Sequence, residues 1–118
     1  MIVRSVAQSA QFSRSKMAKA SLASGNQLFA GLNCFLPGQV HELHAHAGQD
    51  KLYMVLDGCG DVTVGDRRDR VGPGDLVLAR EGEPHALENP GPENLVVLTV
   101  MAPPPGPRRR GNAGTGGT

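Results

Sequence analysis

Apolar residues along this chain recur with a period of two and in short bursts, and glycine or proline interrupts the bursts at close intervals. Side chains of a strand alternate between faces, so this pattern predicts many short strands rather than helices. Residues 18–35 read as two extended runs around Gly25 and Asn26, a turn pair able to adopt positive φ. The second run sets Leu28, Ala30, Leu32, Cys34 and Leu36 against Gln27, Phe29, Gly31, Asn33 and Phe35. Its second face is mixed rather than polar, which predicts cover on both sides. Further strands are expected over 52–56, 61–64, 68–71, 76–79, 85–88 and 95–101, separated by turns at 57–60, 65–66, 72–75, 81–84 and 89–92. Before residue 18 the chain is polar and poorly patterned, with a strand start at Ile2-Val3 and a helical turn over 13–17 as the expected local structure. The fold class is all-β, a small antiparallel barrel or sandwich.

Length makes this one domain: an arm over 1–17, a barrel over 18–101 and, from the Pro, Gly and Arg content of 102–118, a disordered tail. With no Trp, one Tyr and three Phe, the core must be built from Val, Leu, Ala and Met. The net charge of +1 depends on Arg108, Arg109 and Arg110; without them nine basic residues face eleven acidic ones. The body therefore offers no electrostatic footprint for nucleic acid, and none is expected as a partner. Two cysteines, Cys34 and Cys59, are too few for a disulfide framework and read as reduced thiols of a cytoplasmic protein. Neither a signal peptide nor a membrane partner is expected, since no sustained apolar run is long enough.

Candidate chemistry begins at His44-Ala45-His46. Residues i and i+2 of a strand share a face, so both imidazoles aim at one point. A pair alone is equally well read as two exposed strand histidines; His85, in a comparable setting, raises it to a candidate centre for a divalent ion. Imidazole nitrogen suits iron, manganese, nickel, zinc and copper, so the residues do not select among them.

Two spaced motifs carry a resemblance. Gly38, five residues, His44-Ala45-His46, four residues, Lys51, six residues and Gly58 resemble the first signature of the cupins. Gly74, five residues, Arg80 where proline is usual, Gly82, His85 and Asn89 resemble the second, and 15 residues separate the two. The resemblance implies a jelly-roll β-barrel enclosing a metal, with His44, His46 and His85 as ligands. The slot for a glutamate ligand falls on Lys51, whose ammonium repels a cation. A fourth ligand is then expected, if at all, from Gln49 or Asp50.

Lys51 facing inward would attract an anion, but the simpler expectation runs its ammonium out to solvent. Tyr53 shares the parity of Lys51, either presenting its hydroxyl to substrate or only packing. His41 has the opposite parity to His44 and is assigned to the surface. Glu42 shares the parity of His44, as a hydrogen-bond partner for an imidazole or, more simply, as a solvated carboxylate.

Three histidines with open positions predict a metal-dependent oxygenase, isomerase or lyase acting on a small anionic oxygenated molecule. The alternative is a binding or sensing module without turnover, and a metal-free structural barrel ranks last. Small cupins are often homodimers, and the half-apolar face around Phe29 and Phe35 predicts a dimer through the region before Gly38.

Overall fold

The computed structural model of the chain describes residues 1–105. Among them are nine strands: β1 (Ala18–Ser24), β2 (Phe29–Phe35), β3 (Val40–His44), β4 (Asp50–Asp57), β5 (Gly60–Val64), β6 (Arg67–Val71), β7 (Leu76–Ala79), β8 (His85–Glu88) and β9 (Leu95–Ala102). A five-stranded antiparallel sheet in the order β1-β2-β9-β4-β7 faces a four-stranded one in the order β3-β8-β5-β6. The pairs β5 with β6, β4 with β7, β3 with β8 and β2 with β9 are nested about the Gly65-Asp66 turn. One long folded hairpin thus wraps into the expected jelly-roll barrel.

The strands fall where the alternation and the turn residues put them, apart from their ends. The arm differs: residues 2–3 form no strand, and its helical piece is a 3-10 turn at Val6–Ser9, upstream of 13–17. Gly25 and Asn26 do not take positive φ, because the β1–β2 connection is a longer loop closed by the Gly25 N–H donating to the Leu28 carbonyl. The expectation of a disordered tail concerns residues that lie mostly outside the described ones. No helix of the described residues is long and apolar enough to cross a membrane.

The two faces of β2 are used in the opposite sense to the obvious one. Phe35, from the mixed face, is fully buried between the sheets with Tyr53, Val55, Val62, Leu87, Leu95 and Val97. The apolar face, Leu32 and Cys34, lies on the outside of the five-stranded sheet with Ala20 and Val96, packed by Leu22, Leu56, Leu98 and Ala10 of the arm. Most of both faces of β2 is covered within the chain itself, while Phe29 and Ala30 are half-buried and Leu28, just before the strand, is 44% exposed. Burial also pushes the Cys34 thiol up, and both cysteines are free.

The motif residues other than histidine hold the two ends of the long hairpin together. Asn89 is buried; its Nδ2 donates to the carbonyls of Phe35 and Glu93, and its Oδ1 accepts from Gly91 N–H. Its backbone accepts from Gly38 N–H and donates to the Gln39 carbonyl, so the start of the first motif is bonded to the end of the second. Gly58 takes a φ of +80°, and a Cβ there would collide with the Asn94 carbonyl, whereas Gly38 at +87° has open space around it.

Gly58→Ala should therefore cost clearly more than Gly38→Ala. We expect about 1 kcal/mol at Gly38 from backbone strain alone and at least about 2–3 kcal/mol at Gly58, where the backbone must also shift. Denaturant unfolding of the two variants measures the difference, and equal losses would show that Asn94 yields freely.

Candidate metal centre

His44 ends β3 and His85 begins β8, and the two are paired in register. Each is oriented in the same way: Nδ1 of His44 donates to the Glu42 carbonyl at 2.6 Å, and Nδ1 of His85 to the Glu83 carbonyl at 2.9 Å. A carbonyl only accepts, so the proton sits on Nδ1 and each Nε2 carries a free lone pair. Glu42 thus serves through its backbone, while its side chain is exposed.

His46 lies beyond the end of β3, in the 45–49 connection, so strand geometry alone does not aim it. The turn before β8 holds that connection. Gly82 N–H donates to the His46 carbonyl at 2.8 Å, Glu81 N–H to Asp50 Oδ1 at 2.9 Å, and Gly48 N–H to Glu81 Oε2 at 3.0 Å. The ring centroids of His44 and His85 are 4.2 Å apart, those of His44 and His46 4.8 Å, and those of His46 and His85 5.7 Å. One ring nitrogen from each lies within 4.8 Å of the others, a group able to hold a metal ion. All three Nε2 atoms are buried without a hydrogen-bond partner in the protein.

Burial lowers the proton affinity of all three rings, that of His44 to about 4, so each is a neutral donor near neutrality. Nitrogens sharing an ion at about 2.1 Å sit about 3–3.5 Å apart in a tetrahedral set, so ring movements of about an ångström complete the site. The residues fit the ion that the motifs imply.

Gln49 and Asp50 are engaged elsewhere: the Gln49 amide donates to the Pro103 carbonyl at 2.9 Å, and Asp50 takes the Glu81 N–H. Lys51 does not reach solvent. It is 1% exposed, and its Nζ lies 5.1 Å from the centre of the Tyr53 ring with no hydrogen-bond partner. The pleat forces this, because Lys51 has the parity of Tyr53 and Val55, which face the core. Burial, with Lys19 adding a smaller repulsion, brings its ammonium down to about 7. Tyr53 is buried with its hydroxyl unpartnered, its ring 6.1 Å from that of His85, and burial raises its phenol well above the usual range.

His41 corrects the parity argument. A register irregularity between His41 and His44 in the β3–β8 ladder resets the alternation, so His41 pairs with core Leu87 and turns inward. Its ring stacks on that of His44 at 4.4 Å, its Nδ1 is buried and unpartnered, and burial and then Lys51 push it down to about 3. Asn33 and Thr99 were not singled out from the sequence. Both are buried with an unpartnered side-chain atom on the inner face. Their parity with Phe35 and Val97 was the available signal.

Known proteins share this architecture. A family model described as Cupin domain matches residues 31–101. The chain belongs to the cupin family. A Thermus thermophilus protein of known crystal structure superposes on this cupin with a TM-score of 0.85 at 32% identity, covering 89% of this chain and all of that one. An uncharacterized protein of Methanocaldococcus jannaschii is 32% identical over 62 residues, 52% of this cupin and 50% of that protein, so the chain spans about half its length. The oxalate-binding protein of Thermotoga maritima is 29% identical over 85 residues, 72% of this cupin and 69% of that protein.

The basic interior makes a prediction for the metal-free cupin. Lys51 titrates near 10.5 when unfolded and near 7 when folded, so between those values the unfolded chain binds more protons and stability rises with pH. His44 does the same between about 4 and 6.5. Metal-free protein should gain unfolding free energy from about pH 7 to about pH 9.5, and Lys51→Met should flatten that rise. Denaturant titrations across this window measure it, and an unchanged slope in Lys51→Met would assign the effect to other groups.

Proposed function

We propose that this cupin holds one divalent first-row metal ion on His44, His46 and His85 without a fourth ligand from the Gln49 amide or the Asp50 carboxylate, and uses the site on a small anionic oxygenated molecule. The supporting observation is the company the bare Nε2 atoms keep. They share the barrel interior with the Lys51 ammonium and the Tyr53 hydroxyl, and no Asp or Glu is buried among the described residues. A buried cation without a protein counter-charge favours a ligand that brings one.

A bound ion at such a centre polarises a carbonyl or enolate oxygen, or lowers the pKa of bound water. The protein's own groups do the rest. Lys51 offsets negative charge on the molecule, Tyr53 donates a hydrogen bond, and the barrel wall excludes water, which strengthens both effects. Oxygenase, isomerase and lyase chemistry all fit this arrangement.

A second reading, binding or sensing without turnover, is favoured by one specific feature. No carboxylate of the described residues is buried to act as general base, and Lys51 and Tyr53 are the buried acid–base groups facing the imidazoles, with Lys19 nearby. The relative named as oxalate-binding is in keeping with either reading.

Protein purified from cells should carry about one first-row divalent ion per chain by elemental analysis. His85→Ala and His44→Ala should each retain the β-sheet circular dichroism and lose most of that metal. Full metal content in both variants would overturn the site. A screen of small oxo- and hydroxy-acids on the loaded protein then separates the readings: product formation supports the enzyme, and ligand-induced stabilisation without product supports the binding module.

A further inference from the structure

Among the described residues, eight side-chain atoms are buried without a hydrogen-bond partner: Asn33 Nδ2, His41 Nδ1, His44 Nε2, His46 Nε2, Lys51 Nζ, Tyr53 Oη, His85 Nε2 and Thr99 Oγ1. Buried polar atoms are nearly always paired, so eight in one barrel mark a ligand chamber. They divide by wall. The four imidazole nitrogens come from β3, β8 and the connection after β3; the other four groups come from β4, β9 and β2 of the five-stranded sheet.

On that second wall Tyr53 pairs with Thr99 and Thr99 with Gly31, Lys51 lies two residues before Tyr53, and Asn33 two residues after Gly31. The groups therefore run diagonally from Lys51 through Tyr53 and Thr99 to Asn33. Strands lie about 4.8 Å apart and rise about 3.4 Å per residue, so at the backbone the row crosses about 10 Å of sheet and runs about 14 Å along it. Lys51 stands at one end; along the rest are two hydroxyls and an amide, with Lys19 of β1 paired opposite the amide residue. Beside Thr99 and Asn33 a cavity of about 110 Å³, also lined by Lys19, Phe29, Gly31 and Met101, extends the row. It exists because residue 31 lacks a side chain: a Cβ there would come 2.8 Å from the Ala20 carbonyl and 3.0 Å from the Phe29 ring.

Resting on the anion-binding reading above, we propose that the molecule this wall takes is an elongated carboxylate bearing several hydroxyls. Its carboxylate lies at Lys51 and Tyr53, its hydroxyls bond Thr99 and Asn33, and its intervening carbons pass the histidine wall. A two-carbon diacid satisfies the ammonium and the metal side but leaves Thr99 and Asn33 unpaired. An alkyl acid of equal length leaves the same donors unpaired, at the cost of burying them.

The test is calorimetric titration of the metal-loaded full chain with three probes: gluconate, oxalate and hexanoate. Gluconate should bind at least about tenfold more tightly than either of the others. Lys51→Met should weaken gluconate by about tenfold or more with metal content unchanged. Thr99→Val should weaken gluconate several-fold and leave oxalate unaffected, whereas Thr99→Ser, which keeps the hydroxyl, should restore the gluconate affinity. Oxalate binding as tightly as gluconate, or gluconate affinity indifferent to Thr99→Val, would overturn the proposal. Elemental analysis reads the metal site independently. Gluconate binding by a protein that holds no metal supports the donor wall and refutes the histidine centre, while metal without gluconate binding does the reverse.

Discussion

The register of β3 against β8 is the constraint on which the site depends. It places His44 opposite His85, residues far apart in sequence, with both Nε2 atoms facing the same space. A slip of one residue would turn every side chain of β3 to the other face and dissolve the pair. The register is fixed from both ends of the ladder. Asn89 is bonded through its backbone to Gly38 and Gln39 on one side, and the turn before β8 is bonded to His46, Gly48 and Asp50 on the other. The irregularity between them absorbs an extra residue and brings His41 inside. The four imidazoles therefore come from β3, the connection that follows it and the neighbouring strand β8.

The interior is divided between stability and chemistry. Toward one end Phe35, Val55, Val62, Leu87, Leu95 and Val97 form an apolar plug, and a second apolar layer lies outside the five-stranded sheet under the arm. The remaining interior holds groups whose burial opposes folding, each unpartnered donor or acceptor costing on the order of 1–3 kcal/mol. A small barrel tolerates such a chamber because two apolar layers, rather than one, stabilise the larger sheet. The mixed composition of β2 is the imprint of this division: Phe35 belongs to the plug, while Asn33 and Gly31 belong to the chamber.

Most of the strands, the topology class and the three-histidine cluster were legible in the sequence because glycines and histidines at fixed spacing leave little freedom. What was not legible has specific causes. His41 was assigned outward because parity counting assumes an unbroken ladder, and an irregularity leaves no mark in residue types. Lys51 was expected in solvent because lysine usually is; its parity with Tyr53 and Val55 pointed inward all along. Cover on both sides of β2 was expected, but the contribution of Ala10 was not, because the arm it belongs to has no apolar pattern. Asn33 and Thr99 escaped notice because a polar residue on a strand signals solvent unless the chamber is already known.

Replacing a carboxylate by an ammonium changes the electrostatics of such a centre in kind. Three neutral imidazoles and a carboxylate leave a divalent ion with one net positive charge, whereas here the ion would keep both its charges and face Lys51 as well. In a region shielded from water that repulsion is weakly screened, so the ion and the ammonium each raise the cost of the other. A negative ligand between them relieves both. Binding free energies are reciprocal, so an anion held by Lys51 and Tyr53 must strengthen the metal site by the same factor as the metal strengthens anion binding. On the proposed reading, a ligand would supply the charge that no buried Asp or Glu of the described residues provides, and its charge would be part of the metal site rather than an addition to it.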